Sequence, residues 1–211
     1  MEAIKAIGLM MGASWASGVN LYATVLLLGL SGRMEWVTLP ESMSPLTAWP
    51  VIIVAGFLYA IEFFADKIPA VDSFWDTLHT FIRPIGGAAL AWMAVGESAP
   101  EFQVIALLFG SALSLQSHVT KMTARLAINA SPEPVTNSVA SVTEDVVVAG
   151  LVTLAMTHPI IATFVVVALV IGTVWLTVIL MKFLVKAVNG ILRFIGLKKP
   201  AQSEDAPSTP A

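Results

Sequence analysis

Apolar runs of roughly 20 residues recur along almost the whole chain, and that is the length an α-helix needs to cross the hydrocarbon of a bilayer. They fall near residues 5–31, 48–66, 70–96, 102–128, 136–157 and 159–187, each bounded by glycine, proline or charge. Within lipid every main-chain polar group must be satisfied internally, so runs of this length are read as helices. A mean hydropathy of +0.84, with only 12% charged residues, is incompatible with a soluble domain. The expected fold is therefore all-α: a polytopic helical membrane protein of about six transmembrane helices. Residues 1–197 are expected to form one transmembrane domain and 198–211, with their Pro, Ser and acidic residues, a disordered cytoplasmic tail.

Local signals refine the spans. Met1 to Leu30 is interrupted by Ser17, Asn20 and Tyr22 and is followed by no Ala-x-Ala site, which reads as a retained helix and not a cleaved signal. Pro84-Ile85-Gly86-Gly87 predicts a kink in the third span, and His158-Pro159 a short break between the fifth and sixth. Lys186 to Leu197 either continues the last helix or lies along the interface. In a six-span arrangement Lys5, Lys67, Lys121, Arg125, Lys182, Lys186, Arg193, Lys198 and Lys199 share one side, with Arg33 as the exception. Basic residues are retained on the cytoplasmic side, so both termini are expected inside, in a bacterial cytoplasmic membrane. Trp36, Trp49 and Trp92 then suit an aromatic belt on the outer side.

Against this apolar background, Glu62 to Arg83 crowds ionisable residues between two long apolar runs. Charge in such a place is expensive and is the first place to look for function. Its spacing recurs: Pro69-x-x-Asp72-Ser73-x-x-Asp76-x-x-His79 aligns with Pro134-x-x-Asn137-Ser138-x-x-Ser141-x-x-Glu144. Two capped helix starts explain the prolines and the residues just after them. They do not explain the depth of the polar face. At about 100° per residue, Asp72, Asp76, His79 and Arg83 lie within about a 60° arc, and so do Asn137, Ser141 and Glu144. Two such stripes, in two related helix hairpins, should face other helices or a water-filled cavity. Asp145 sits beside the second stripe.

The helices before the two stripes end with opposite charge. Glu62 and Asp66 are four apart on one, whereas His118, Lys121 and Arg125 share a face of the other. Packed together they would form buried pairs such as Glu62 or Asp66 with Arg125; the alternative is that Lys121 and Arg125 snorkel to the headgroups. On the first helix Ser17, Asn20 and Thr24 recur at helical spacing, which suits a packing seam, although Asn20 has four hydrogen-bonding sites to satisfy.

The strings Ala16-Ser-Gly-Val-Asn20-Leu-Tyr22, Glu62-Phe-Phe-Ala-Asp66-Lys-Ile-Pro69-Ala-Val-Asp72-Ser73, and Asn129-Ala-Ser-Pro-Glu133-Pro134-Val-Thr-Asn137-Ser138 with Glu144-Asp145 resemble a bacterial family of small integral membrane proteins, a domain-of-unknown-function family. The likeness spans roughly residues 5 to 185. It implies a membrane protein and brings no substrate.

Three functional classes remain. Paired polar turns and intramembrane carboxylates suit transport of a small solute or ion, with proton coupling. In that reading Asn20, Glu62, Asp66, Asp72, Ser73, Asp76, His79, Lys121, Arg125, Asn137, Ser138, Ser141, Glu144 and Asp145 line the binding site. A non-catalytic scaffold or accessory subunit that binds a partner at its cytoplasmic face is the alternative. A metal-dependent membrane enzyme built on Glu62, Asp66, Asp76 and His79 is third, weakened because the second stripe has Glu144 where the first has an imidazole. With no cysteine, no nucleophile elbow and no phosphate-binding glycine loop, neither a cofactor nor nucleic acid is expected, whereas the bilayer is an expected partner and a homo-oligomer is compatible with the glycine content.

Overall fold

The computed structural model describes residues 2–96, 98–129 and 134–194, and no strand occurs among them. Seven α-helices follow one another: α1 (Glu2–Val19), α2 (Leu21–Arg33), α3 (Trp49–Ala65), α4 (Pro69–Val95), α5 (Pro100–Asn129), α6 (Pro134–Thr157) and α7 (Pro159–Phe194). A 3-10 helix, Glu41–Thr47, precedes α3. Proline opens α4, α5, α6 and α7, where its missing N–H is no loss and its fixed φ is already helical.

The expected single helix over 5–31 is two helices. Asn20 breaks it with φ −147° and ψ 101°, and its Oδ1 accepts from the N–H of Ala23 at 2.9 Å. An asparagine that caps the next helix in this way competes with continuation of the previous one. The contacts show that the chain turns back at this point. Lys5 and Leu9 of α1 share a recess with Pro40, Val95 and Ser98. Deeper in the bundle Ser14 donates to the Gly87 carbonyl at 3.1 Å, and the Gly18 carbonyl accepts from Arg83 at 3.1 Å. From there α2 returns, with the Tyr22 hydroxyl beside His79, Gly29 against Leu46 and Ile52, and Gly32 against Leu39 and Thr47. The pair α1–α2 is thus a helical hairpin, with Asn20 at its inner tip. This places Lys5 at the end of the bundle opposite Lys67, Lys121 and Arg125, and corrects the expectation that these lysines share a side.

The helices α3 to α7 alternate between the two ends. Asp66 at the end of α3, Asp72 at the start of α4, Asn129 at the end of α5 and Asn137 at the start of α6 meet at one end. At the other, Ser42 donates to the Met93 carbonyl and Gln103 to the Gly96 carbonyl, and Pro159 lies against Gly8. The first residues of α1 and the last of α7 therefore lie at opposite ends. Helices α5, α6 and α7 are long and apolar enough to cross a bilayer, and the 3-10 helix with α3 passes the same test only when the pair, bent by 64°, is counted as one segment. Helix α4 has the length but carries Asp72, Asp76, His79 and Arg83 between its first turn and its middle. It runs unbroken through Pro84, and α7 continues as a helix to Phe194. The expected tail from Lys198 onward, with Lys198 and Lys199, lies outside the described residues.

Helix α1 forms the centre of the bundle, with Ala13, Ser14, Ala16 and Ser17 wholly buried. Close approach depends on small residues, as in membrane helix pairs generally. A Cβ at Gly87 would overlap Ser114, and one at Gly110 would overlap Ala91. Outward, Phe57, Phe81, Phe164, Ile171 and Trp175 are exposed, an apolar coat that water would disfavour and hydrocarbon would not.

Candidate functional site

Four helices bring one charged face each to the half of the bundle near Lys67. Helix α4 supplies Asp72, Asp76, His79 and Arg83, which repeat every three or four residues and so share a side. Helix α3 supplies Glu62 and Asp66, α5 supplies His118, Lys121 and Arg125, and α6 supplies Asn137, Ser141 and Glu144. All but Glu144 are buried; the Glu144 side chain is 19% exposed.

The pairing is a chain of ion pairs. Arg83 meets Glu62 at 2.6 Å and Asp76 at 3.4 Å. Lys121 lies between Glu62 at 3.3 Å, Asp66 at 3.2 Å and Glu144 at 3.4 Å. Arg125 bridges Asp66 at 3.1 Å and Glu144 at 2.7 Å, reaches toward Asp72 at 4.0 Å and also donates to the Asn137 carbonyl. Asn129 closes the end of the network, donating to Asp72 at 3.1 Å while accepting from Asn137 at 2.9 Å. Arginine, with a planar fork of donors, suits such multiple bridging better than lysine.

The two imidazoles are integrated as hydrogen-bonding groups. Arg83 can only donate, so Nδ1 of His118, 2.7 Å from its Nη1, accepts. Nε2 of His118 then carries the proton and donates to the Thr80 hydroxyl at 3.0 Å. In His79, Nδ1 donates to the Trp75 carbonyl at 2.7 Å and Nε2 faces the Tyr22 hydroxyl at 3.0 Å.

A second arm joins this network to the tip of the α1–α2 hairpin. Asp145 accepts from Asn20 Nδ2 at 3.1 Å and from the Tyr59 hydroxyl at 3.0 Å. The tip thereby sits between opposite charges: the carbonyl end of α1 faces Arg83, and the side-chain amide of Asn20, the residue that caps α2, faces Asp145. Broken helices with termini aimed at charge near mid-depth are a way of building ion and solute sites in membranes.

Six carboxylates, those of Glu62, Asp66, Asp72, Asp76, Glu144 and Asp145, face three buried cations, Arg83, Lys121 and Arg125, with the Lys67 ammonium, in electrostatic reach of Asp66 and Asp145, as a fourth. The excess is visible as unused acceptors. Glu62 Oε2, Asp66 Oδ1, Asp76 Oδ2 and Asn137 Oδ1 are buried without a hydrogen-bond partner, and Asp76 Oδ1 and Asp72 Oδ1 have only the longer ion contacts to Arg83 and Arg125. Buried polar atoms are ordinarily paired, so a group of orphans in one place marks a spot where protons, water or a bound cation belong.

Most residues expected at a site from the sequence do converge: Asn20, Glu62, Asp66, Asp72, Asp76, His79, Lys121, Arg125, Asn137, Ser141, Glu144 and Asp145. Ser73 and Ser138 do not. Each follows the inward residue by one position, about 100° round the helix, and Ser73 is exposed while Ser138 lines a shallow outer groove with Val135 and Val142. Lys121 and Arg125 are buried in pairs and do not snorkel. Arg83 is the largest buried side chain of the network, and Tyr22, Tyr59, His118 and Asn129 join it; the clue to Arg83 was its place on the stripe, whereas nothing in spacing pointed to the tyrosines. Among the described residues no group of three or more His, Asp or Glu is placed to hold a metal ion, and both ring nitrogens of His79 are occupied within the protein.

Fold and site together define an all-helical bundle with membrane-length apolar helices around a buried ionic network. Residues 7–178 match the model of a family described as a domain of unknown function, DUF4126, and the chain belongs to that family. No curated protein and no solved structure matches it.

Proposed function

We propose that the protein is an integral membrane transporter that moves a small solute or ion through the carboxylate-rich network, with proton coupling through Asp72 and Asp76. The observation that carries this reading is the excess of buried acid, with orphaned acceptor atoms on α3, α4 and α6. A purely structural network gains nothing from such orphans, because each costs desolvation that an apolar residue would avoid. In this reading α3 to α7 cross the membrane, α1–α2 enters from the outer face without crossing, and the Lys67 end lies in the cytoplasm of a bacterial cell.

Purified protein in liposomes should show substrate-dependent flux that Asp72→Asn or Asp76→Asn abolishes while both variants remain folded. Flux unchanged in both variants would remove the proposal. The ion pairs that neutralise Glu62, Asp66 and Glu144 favour one second reading, a scaffold whose network fixes the helices in register. A scaffold predicts no flux and a stable partner that co-purifies.

A further inference from the structure

We propose that the row formed by Tyr59 and Phe63 of α3 and by Lys67 just past its end, with Asp145 of α6 at its inner end, binds a small organic cation bearing a primary ammonium group. The proposal names a substrate class for the transport reading above and rests on that reading for its role, although the binding itself stands on separate observations.

Tyr59 and Phe63 are four apart on α3 and so share a face, and Lys67, two residues past the end of the helix, folds its side chain back onto Phe63. Tyr59 and Phe63 form an aromatic wall with ring centroids 6.2 Å apart. At the inner end of the row the Tyr59 hydroxyl holds Asp145 at 3.0 Å.

Asp145 differs from the other carboxylates of the site. Each of those has an arginine or lysine within 4.0 Å, whereas Asp145 forms no ion pair among the described residues. Its two donors, Asn20 and Tyr59, are neutral. A carboxylate has about four lone-pair sites, so two such bonds leave acceptor capacity for a cation. The residue is half-buried, which leaves it open to a ligand.

The second observation is a cation already on the aromatic wall. The Lys67 ammonium lies 3.1 Å from the Phe63 ring centroid and donates to the Phe63 carbonyl at 2.8 Å. A ring face and a nearby oxygen acceptor are the two elements that recognise ammonium groups. Lys67 is thus a tethered ammonium at the mouth of the row, and a free one passing inward would meet Phe63, then Tyr59, then Asp145. An anionic ligand is disfavoured by the surrounding acid, and a divalent metal by the lack of a converging ligand set.

The test is calorimetric titration of methylammonium chloride into the full-length protein in detergent, against sodium chloride at equal ionic strength, with folding followed by thermal unfolding. Wild-type protein should bind methylammonium in preference to sodium. Asp145→Asn should weaken binding by about tenfold or more, the scale expected for loss of a charge-assisted bond. Phe63→Leu should weaken it several-fold. Lys67→Met should tighten it, because the tethered competitor is gone; a merely structural row gives no such gain. Absence of binding by the wild type, or unchanged binding in both Phe63→Leu and Lys67→Met, would overturn the proposal, and these two peripheral variants keep the test decisive if Asp145→Asn fails to fold. Because binding is read at equilibrium, methylammonium affinity without flux would remove the transport reading alone. Flux of another solute that depends on Asp72, without methylammonium binding, would remove this one alone.

Discussion

Arg83 donates to Nδ1 of His118 at 2.7 Å while its other terminal nitrogen meets Glu62 at 2.6 Å, so one wholly buried guanidinium ties α3 to α5. Removing a single partner from a buried pair leaves an uncompensated charge and costs about 3–5 kcal/mol. Arg83→Gln should therefore lower thermal stability severely. The double variant Glu62→Gln with Arg83→Gln should be more stable than Arg83→Gln alone, a coupling that a double-mutant cycle of unfolding measurements would expose. Equal losses would show that the pair is not the joint.

Asn20 combines a helix cap with a grip on Asp145. Asn20→Ser retains the cap to Ala23 but is too short to reach Asp145, whereas Asn20→Ala loses both. Loss of the cap costs about 0.5–2 kcal/mol, so Ala should be less stable than Ser by that amount in chemical unfolding. Asn20→Asp also keeps the cap but sets a second carboxylate against Asp145, and should fall below Ser.

Glycines at helix crossings should separate sharply from those on the outer coat. A methyl at Gly18 would overlap the Ser114 carbonyl and the Ser117 hydroxyl, while nothing lies within 4 Å of one at Gly150. Gly18→Ala should cost about 1–3 kcal/mol through overpacking. Gly150→Ala should gain about 0.5–1 kcal/mol by removing a mid-helix glycine. Melting curves of the two variants should move in opposite directions.

The absence of native cysteine makes the topology directly measurable. Single cysteines at Ala3, Ser98 and Gly190 should react with an impermeant maleimide in intact vesicles as two sets, Ala3 with Ser98 and Gly190 opposite. Labelling of Ala3 from the same side as Gly190 would overturn the proposal that α1 and α2 enter the membrane from the outer face without crossing it.

The bounds of α3 to α7 could be read from the chain because apolar length and proline punctuation act locally. Runs expected at 48–66, 70–96 and 136–157 appear as Trp49–Ala65, Pro69–Val95 and Pro134–Thr157. The failure at 5–31 has an equally local cause. Hydropathy averages over about 19 residues, and one side chain that takes the Ala23 amide leaves that average almost unchanged while reversing the chain. At the site, helical spacing was enough to gather Asp72, Asp76 and His79 on one face. It could not say that Glu62 would choose Arg83, since that choice depends on where α3 and α5 sit around α4. Ser73 and Ser138 were carried along by a motif that repeats in sequence but points outward in phase.

One ladder sets the register of the last helix against α5. Gln116 bonds Thr173 and Thr120 bonds Thr177, both separated by 57 residues, so α5 and α7 run in the same direction at constant offset. Carried forward, that register sets Lys186 level with Asn129, where α5 stops, and leaves Arg193 standing about 10 Å further on at 1.5 Å per residue. The closing turns of α7 have no α5 alongside to lean on, and form a stalk whose overhang follows from two half-buried side-chain rungs.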